Sequence, residues 1–223
     1  MNTCVWNNQW NTTFDSLAIE KYRESDAAHD IYHVRRVVNL TYFLAQEEKA
    51  NLDIALPAAW LHDIVKVDKK SWEARTQASR LSASYAQELL THLDYPDEGR
   101  HSAISHAIET HSFSANISPE TIEAMIVQDA DRLDALGAIG VLRMAVTGGT
   151  SKTPYLYCAD DIFGENRFLD DETFICDHLW KKLLKLPEKL HTSAAKHIAH
   201  ERLATMKIFI NALAAEVTLY SFE

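Results

Sequence analysis

The sequence predicts an all-α protein. Three observations predict it. Apolar residues recur at three- and four-residue spacing along most of the chain, and no Val/Ile/Thr alternation is long enough to build a sheet. One segment, 53–65, is apolar nearly all round, which places a helix at the centre of a bundle.

The elements follow in order. Residues 13–23 place Phe14, Leu17, Ala18 and Tyr22 at helical spacing after Thr12 or Thr13 as N-cap. Residues 30–48 carry Ile31, Val34, Val37, Val38 and Tyr42 on one side and end in charge. After the 53–65 helix, 76–93 and 97–111 continue the pattern, separated by Pro96. Ser118-Pro119 reads as a helix start, Ser as cap and Pro at the first position. That helix holds Ile122, Met125, Ile126, Ala130, Leu133 and Gly137 on one face and runs to about Val146, where Thr-Gly-Gly-Thr breaks it. The stretch 147–172, with Gly148, Gly149, Pro154 and Gly164 among acids, is a long loop and a candidate lid. Helical patterns over 173–186 and 192–219 close the chain. Their apolar stripes (Leu179, Leu183, Leu186 and Leu190; Ile198, Leu203, Met206, Phe209, Ile210 and Leu213) serve packing, and any face left over offers a homodimer contact.

Composition narrows the function classes. A chain of 223 residues with 47% hydrophobic content has material for a sizeable core in one large domain or two small ones. A net charge of −10 argues against binding a nucleic-acid polymer, which needs clustered Lys and Arg. No apolar stretch is long enough to cross a bilayer. The first residues lack the basic and apolar regions of an export signal, and Cys4, Cys158 and Cys176 form neither a zinc spacing nor a disulfide framework. The expected location is the cytoplasm.

Two strings place polar chemistry where packing would prefer hydrocarbon. One is His62-Asp63, inside Ala-Leu-Pro-Ala-Ala-Trp-Leu-His-Asp-Ile-Val (55–65). The other is Asp-Ala-Asp-Arg-Leu-Asp-Ala-Leu-Gly-Ala (129–138). A buried carboxylate costs several kcal/mol unless a counter-charge meets it. A shared metal ion is the simplest single compensation. Imidazole nitrogen with carboxylate oxygen suits Mn, Mg, Fe, Ni or Zn. Upstream, His29 and His33 share a helix face, and His33 lies among the apolar positions. Asp129 and Asp134 have an alternative use in pairing with Arg132 or a neighbouring helix.

The order His33, His62-Asp63 and Asp131 resembles the H…HD…D pattern of the HD-domain superfamily, helical metal-dependent phosphohydrolases. The resemblance is closest to the small bacterial YedJ/YpgQ-like branch. It rests on Asp26-Ala-Ala-His-Asp-Ile-Tyr-His-Val-Arg-Arg-Val37, His111-Ser-Phe-Ser-Ala115, the stretch Gln128 to Gly140 and Lys-Leu-Leu-Lys-Leu at 182–186. It spans about residues 14–216 and implies one HD domain over the whole chain. It further implies that His33, His62, Asp63 and Asp131 hold one divalent ion, with open positions for water and a phosphate oxygen. Asp129 and Asp134 then support the ligands from behind.

The implied activity is hydrolysis of a phosphorylated small molecule, a nucleotide by resemblance. Either pyrophosphate release from a nucleoside triphosphate or removal of a monophosphate fits, with Asp63 at the reacting water. Lys66 and Arg36, each one turn beyond a ligand, are candidate phosphate binders, and Lys69, Lys70, Arg75 and Arg80 lie in a polar stretch beyond. His106 and His111 fall between the His-Asp pair and the last Asp, where some HD proteins bind a second metal. Phosphate contact or proton donation to the leaving group is the preferred role here, and structural histidines the alternative. His92, His101, His191, His197 and His200 read as surface residues. Trp60, Trp72, Tyr155 and Tyr157 are candidates to stack a base, the two Trp equally for the core. Rival readings are a non-catalytic nucleotide- or metal-binding module and a di-iron oxygenase on the same scaffold.

Overall fold

The computed structural model describes residues 4–67, 72–112 and 115–218. Lys69 and Lys70 lie outside them, as do the side chains of Trp72 and Arg75. The described residues form nine α-helices and no strand: α1 Asn8–Lys21, α2 Ile31–Glu47, α3 Leu52–Leu61, α4 Trp72–His92, α5 Glu98–His111, α6 Ile122–Asp134, α7 Gly137–Thr150, α8 Asp177–Lys181 and α9 Ser193–Thr218. The all-α expectation is correct.

Contacts divide the chain into two compact units, Met1–Asp131 with His191–Ala195, and Arg132–Leu190 with Lys196–Glu223. In the first unit α3 packs against α1, α2, α4 and α5. Every residue of α3 from Ala55 to Leu61 is buried, as an all-round apolar helix must be. Pro57 sits inside it and has no N–H for the carbonyl of Asp53 four residues back. Tyr95 O–H donates to that carbonyl instead, at 2.9 Å. The Asp53 carboxylate is equally engaged. It meets Arg100 at 2.8 Å and accepts the backbone N–H groups of Val5 and Trp6 at 2.8 and 2.6 Å. A pocket of about 370 Å³ opens beside this anchor, lined by Cys4, Gln46, Lys49 and Asn51. It contains none of the candidate site residues.

Several boundaries differ from the sequence expectation, each for a local reason. Helix α1 starts at Asn8 because Asn7 caps it, accepting from Trp10 N–H; the Thr12 and Thr13 hydroxyls donate back to Asn8 and Gln9 carbonyls. Helix α6 starts at Ile122, not at Pro119. Thr121 Oγ1 caps Ala124 N–H, while the Glu120 N–H donates to His106 Nε2 and stays outside the helix. The single helix expected to reach Val146 is two. Gly137 takes φ +74°, which ends the run, and a Cβ on Gly140 would lie 2.2 Å from the Ala135 carbonyl oxygen. The Thr-Gly-Gly-Thr segment then continues α7 to Thr150.

In the second unit the long loop therefore begins at 151. Arg167 and Asp177 pair across it at 2.5 Å, and Asp171 holds Lys181 and His178. The expected helix 173–186 is a short α8 followed by a 3₁₀ stretch, Leu183–Lys189, that contains Pro187. Leu179, Leu183, Leu186, Leu190, Met206 and Ile210 are buried.

Candidate metal centre

Three helix ends build the site, all within the first unit. Asp30 caps α2 by accepting His33 N–H at 3.0 Å, which fixes the first turn where the His33 ring leaves the helix. Helix α3 ends at Leu61, four residues before the sequence pattern does, so His62 and Asp63 sit in the turn that follows. Ile64 N–H bonds the Leu61 carbonyl and Val65 N–H bonds Ser82 Oγ, which turns the chain away from the helix axis. His111 is the last residue of α5.

The donor atoms of His33, His62 and Asp63 all lie within 4.8 Å of one another. Asp131 Oδ1 is 3.6 Å from His33 Nε2. His111 Nε2 is 3.5 Å from Asp63 Oδ1. The His33 and His62 rings stand 5.4 Å apart, and those of His62 and His111 5.0 Å apart. Burial is graded. The three imidazoles are 1%, 0% and 4% exposed, whereas the Asp63 and Asp131 side chains are 23% and 29% exposed. The histidines form a floor and the carboxylates an open rim.

His62 presents the donor atom of the floor. Its Nδ1 donates to the Ala59 carbonyl at 2.7 Å, so Nε2 carries the lone pair. Among the described residues that Nε2 is buried with no hydrogen-bond partner. Burial drives its pKa down to about 4 despite the nearby charge of Asp63. A neutral imidazole nitrogen, orphaned between a histidine and carboxylates, fits a divalent cation, and the mixed nitrogen and oxygen set fits the borderline metals. His111 differs. Burial opposes its protonation, but the hydrogen bond and charge of Asp63 outweigh that and raise its pKa.

The other candidates are placed elsewhere or used otherwise. Lys66 is exposed, stacks over the Tyr22 ring at 5.0 Å and bonds Ser25 Oγ; Asp63 is among the carboxylates that act on it. Arg36 is half-buried one turn after His33. His106 turns to the Glu120 backbone rather than to the cluster. Asp129 accepts His191 N–H and both donors of Thr192, at 2.8–3.1 Å, and so anchors the start of α9. Asp134 is buried against Arg143 at 3.0 Å, inside the second unit. Trp60 is core, its indole N–H on Asn11, and is closed to a base. His101 is buried and bonds the Tyr95 carbonyl, and the exposed His191 ring bonds Gln128; neither is a plain surface residue.

Two residues escaped the sequence reading. Gln128 is buried, donates to the Thr110 carbonyl at 2.6 Å and accepts from His191 Nε2 at 2.6 Å. It ties α6 to the end of α5, next to His111. Tyr22 is 4% exposed, and its hydroxyl has no hydrogen-bond partner among the described residues. Both read as ordinary helix positions, because nothing local marks the long-range bonds of Gln128 or the burial of the Tyr22 hydroxyl.

An all-helical unit that brings His, His-Asp and Asp to one centre defines a recognisable class, and this chain belongs to the HD-domain superfamily. Residues 30–136 match the HD domain itself. Among relatives, YpgQ of Bacillus subtilis (strain 168) is 31% identical over 198 residues, covering 87% of each chain. The crystal structure of Bacillus subtilis YpgQ in complex with ADP superposes with TM-score 0.70 at 29% identity, covering 91% of this chain and 97% of that one. An HD-superfamily hydrolase from Bacillus thuringiensis gives TM-score 0.70 at 28% identity, over 93% and 96%.

Proposed function

We propose that this protein is a divalent-metal-dependent phosphohydrolase acting on nucleotides, either as a nucleoside triphosphate pyrophosphohydrolase or as a nucleotide phosphomonoesterase. One observation carries the metal part of the reading: the buried, unpartnered Nε2 of His62, with donor atoms of His33 and Asp63 within 4.8 Å. The nucleotide part is supported by the ADP complex of YpgQ.

In this reading His33, His62, Asp63 and Asp131 hold the ion. When bound, it supplies acidification of a water and relief of negative charge on phosphoryl oxygens. The residues do the rest. The buried histidines keep bulk water from the floor, and His62 stays neutral. Asp63 and Asp131 face the open side, where Asp63 orients the attacking water. Lys66 brings positive charge to the rim, in a chain whose net charge of −10 would otherwise repel a phosphate. Arg36 adds to it. His111 Nε2, beside Asp63, contacts a phosphate oxygen or passes a proton to the leaving oxygen.

The test is a screen of nucleoside mono-, di- and triphosphates with Mn, Mg, Fe, Ni and Zn, scored separately for pyrophosphate and orthophosphate. Hydrolysis that needs an added ion and disappears in Asp63→Ala is the expected result. Pyrophosphate from a triphosphate marks α–β cleavage; orthophosphate from a monophosphate marks a phosphomonoesterase. Purified protein that cleaves none of them with any ion overturns the proposal.

A further inference from the structure

Tyr22, just past the end of α1, has a feature that packing does not account for. The side chain is 4% exposed, and its hydroxyl is buried without a hydrogen-bond partner among the described residues. A buried hydroxyl left unpaired destabilises the fold, and phenylalanine would fill the same volume without that cost. The charges that act on the hydroxyl are those of Asp63 and Asp131, the two carboxylates of the metal centre. Across the ring lies the Lys66 ammonium, 5.0 Å from its centroid and bonded to Ser25. A phenol O–H is a donor, ionised carboxylates are acceptors, and low dielectric strengthens a bond between them.

We infer that Tyr22 is a positioning residue of the metal centre: its hydroxyl donates to the Asp63–Asp131 carboxylate pair once a cation draws those side chains into a coordinating arrangement. Tyr22 touches neither ion nor substrate. It fixes the orientation of the carboxylates that do, and outer partners of this kind tune metal affinity by about 10- to 100-fold. The inference rests on the metal-centre reading above. It extends that centre to the residue that follows α1, outside the 30–136 match.

The experiment compares wild type and Tyr22→Phe, both stripped of metal, by calorimetric titration with Mn²⁺ and by thermal unfolding. Phe removes only the oxygen. The metal-free variant is expected to unfold at the same temperature or higher, because an unpaired buried hydroxyl is gone, while its Mn²⁺ affinity falls about 10-fold. A tyrosine that merely packs would leave the affinity untouched. Equal affinities in a wild type that binds Mn²⁺ overturn the inference alone. A wild type that binds neither Mn²⁺ nor Mg, Fe, Ni or Zn overturns the metal-centre reading and this inference with it. Weaker binding accompanied by a loss of metal-free stability also counts against it, since the oxygen would then serve the fold.

Discussion

His62 and His111 make the same bond at the ends of two different helices. Each ring donates Nδ1–H to the carbonyl three residues back, Ala59 at 2.7 Å and Ile108 at 2.6 Å. The last turn of a helix leaves carbonyls without intrahelical partners, and each imidazole occupies one. The bond selects the tautomer whose Nε2 faces the cluster, where the two rings meet edge to face at 5.0 Å. The helix ends thereby pre-set the chemistry of both nitrogens.

Metal should stabilise the fold through that arrangement. A ligand present at a hundredfold its Kd adds about 2.7 kcal/mol of stability, or about 5–10 °C in Tm for a chain of this size. Saturating Mn²⁺ is expected to raise the Tm of wild type by that order and a chelator to reverse it. Asp63→Asn, which keeps the shape and removes the charge, should show little of either response in scanning calorimetry.

Gln128 should matter more than its place on a helix suggests. Gln128→Leu leaves the Thr110 carbonyl and the His191 ring N–H without the partner each now has. The expected loss is about 1–3 kcal/mol in urea unfolding. A change below about 0.5 kcal/mol would mean that water replaces both bonds at no cost.

Pro57 and Tyr95 should be energetically coupled. Tyr95→Phe strips the Asp53 carbonyl of its donor, at a cost of about 1–3 kcal/mol. Pro57→Ala restores a backbone N–H aimed at that carbonyl. In a double-mutant cycle the Tyr95 substitution should be markedly less costly when Pro57→Ala is already present. Strict additivity would refute the exchange of donors.

Asp171 should make stability depend on pH. Burial raises its carboxyl pKa, but the bonds to Lys181 and His178 outweigh burial and hold it below the usual 3.8. A depressed carboxyl pKa contributes stability that is complete above the unfolded value and is lost as pH falls through the folded one. Wild type should therefore exceed Asp171→Asn in stability at pH 7, and the gap should close below about pH 4. Urea titrations at several pH values read the difference, and a gap that persists at low pH would rule out the charge as its source.

What the sequence determined by itself was periodicity and chemistry. Apolar spacing marked the helices, and the apolar run at 55–65 marked α3 as central. An acid and a histidine in that run, with Asp131 far along the chain, were legible as a collective site because isolated buried charges are too costly to leave unexplained. Tertiary structure decided the rest. It ended α3 at Leu61 so that His62 and Asp63 face one point, and it moved the start of α6 to Ile122 by giving the Glu120 N–H to His106. It spent Asp129 on the start of α9, and Asp134 on Arg143, although both stand within three residues of Asp131. It also brought Tyr22 and Gln128 to the site's surroundings. Hydrophobic pattern is a local property read along the chain, whereas the partner of a polar atom depends on distances that exist only after folding.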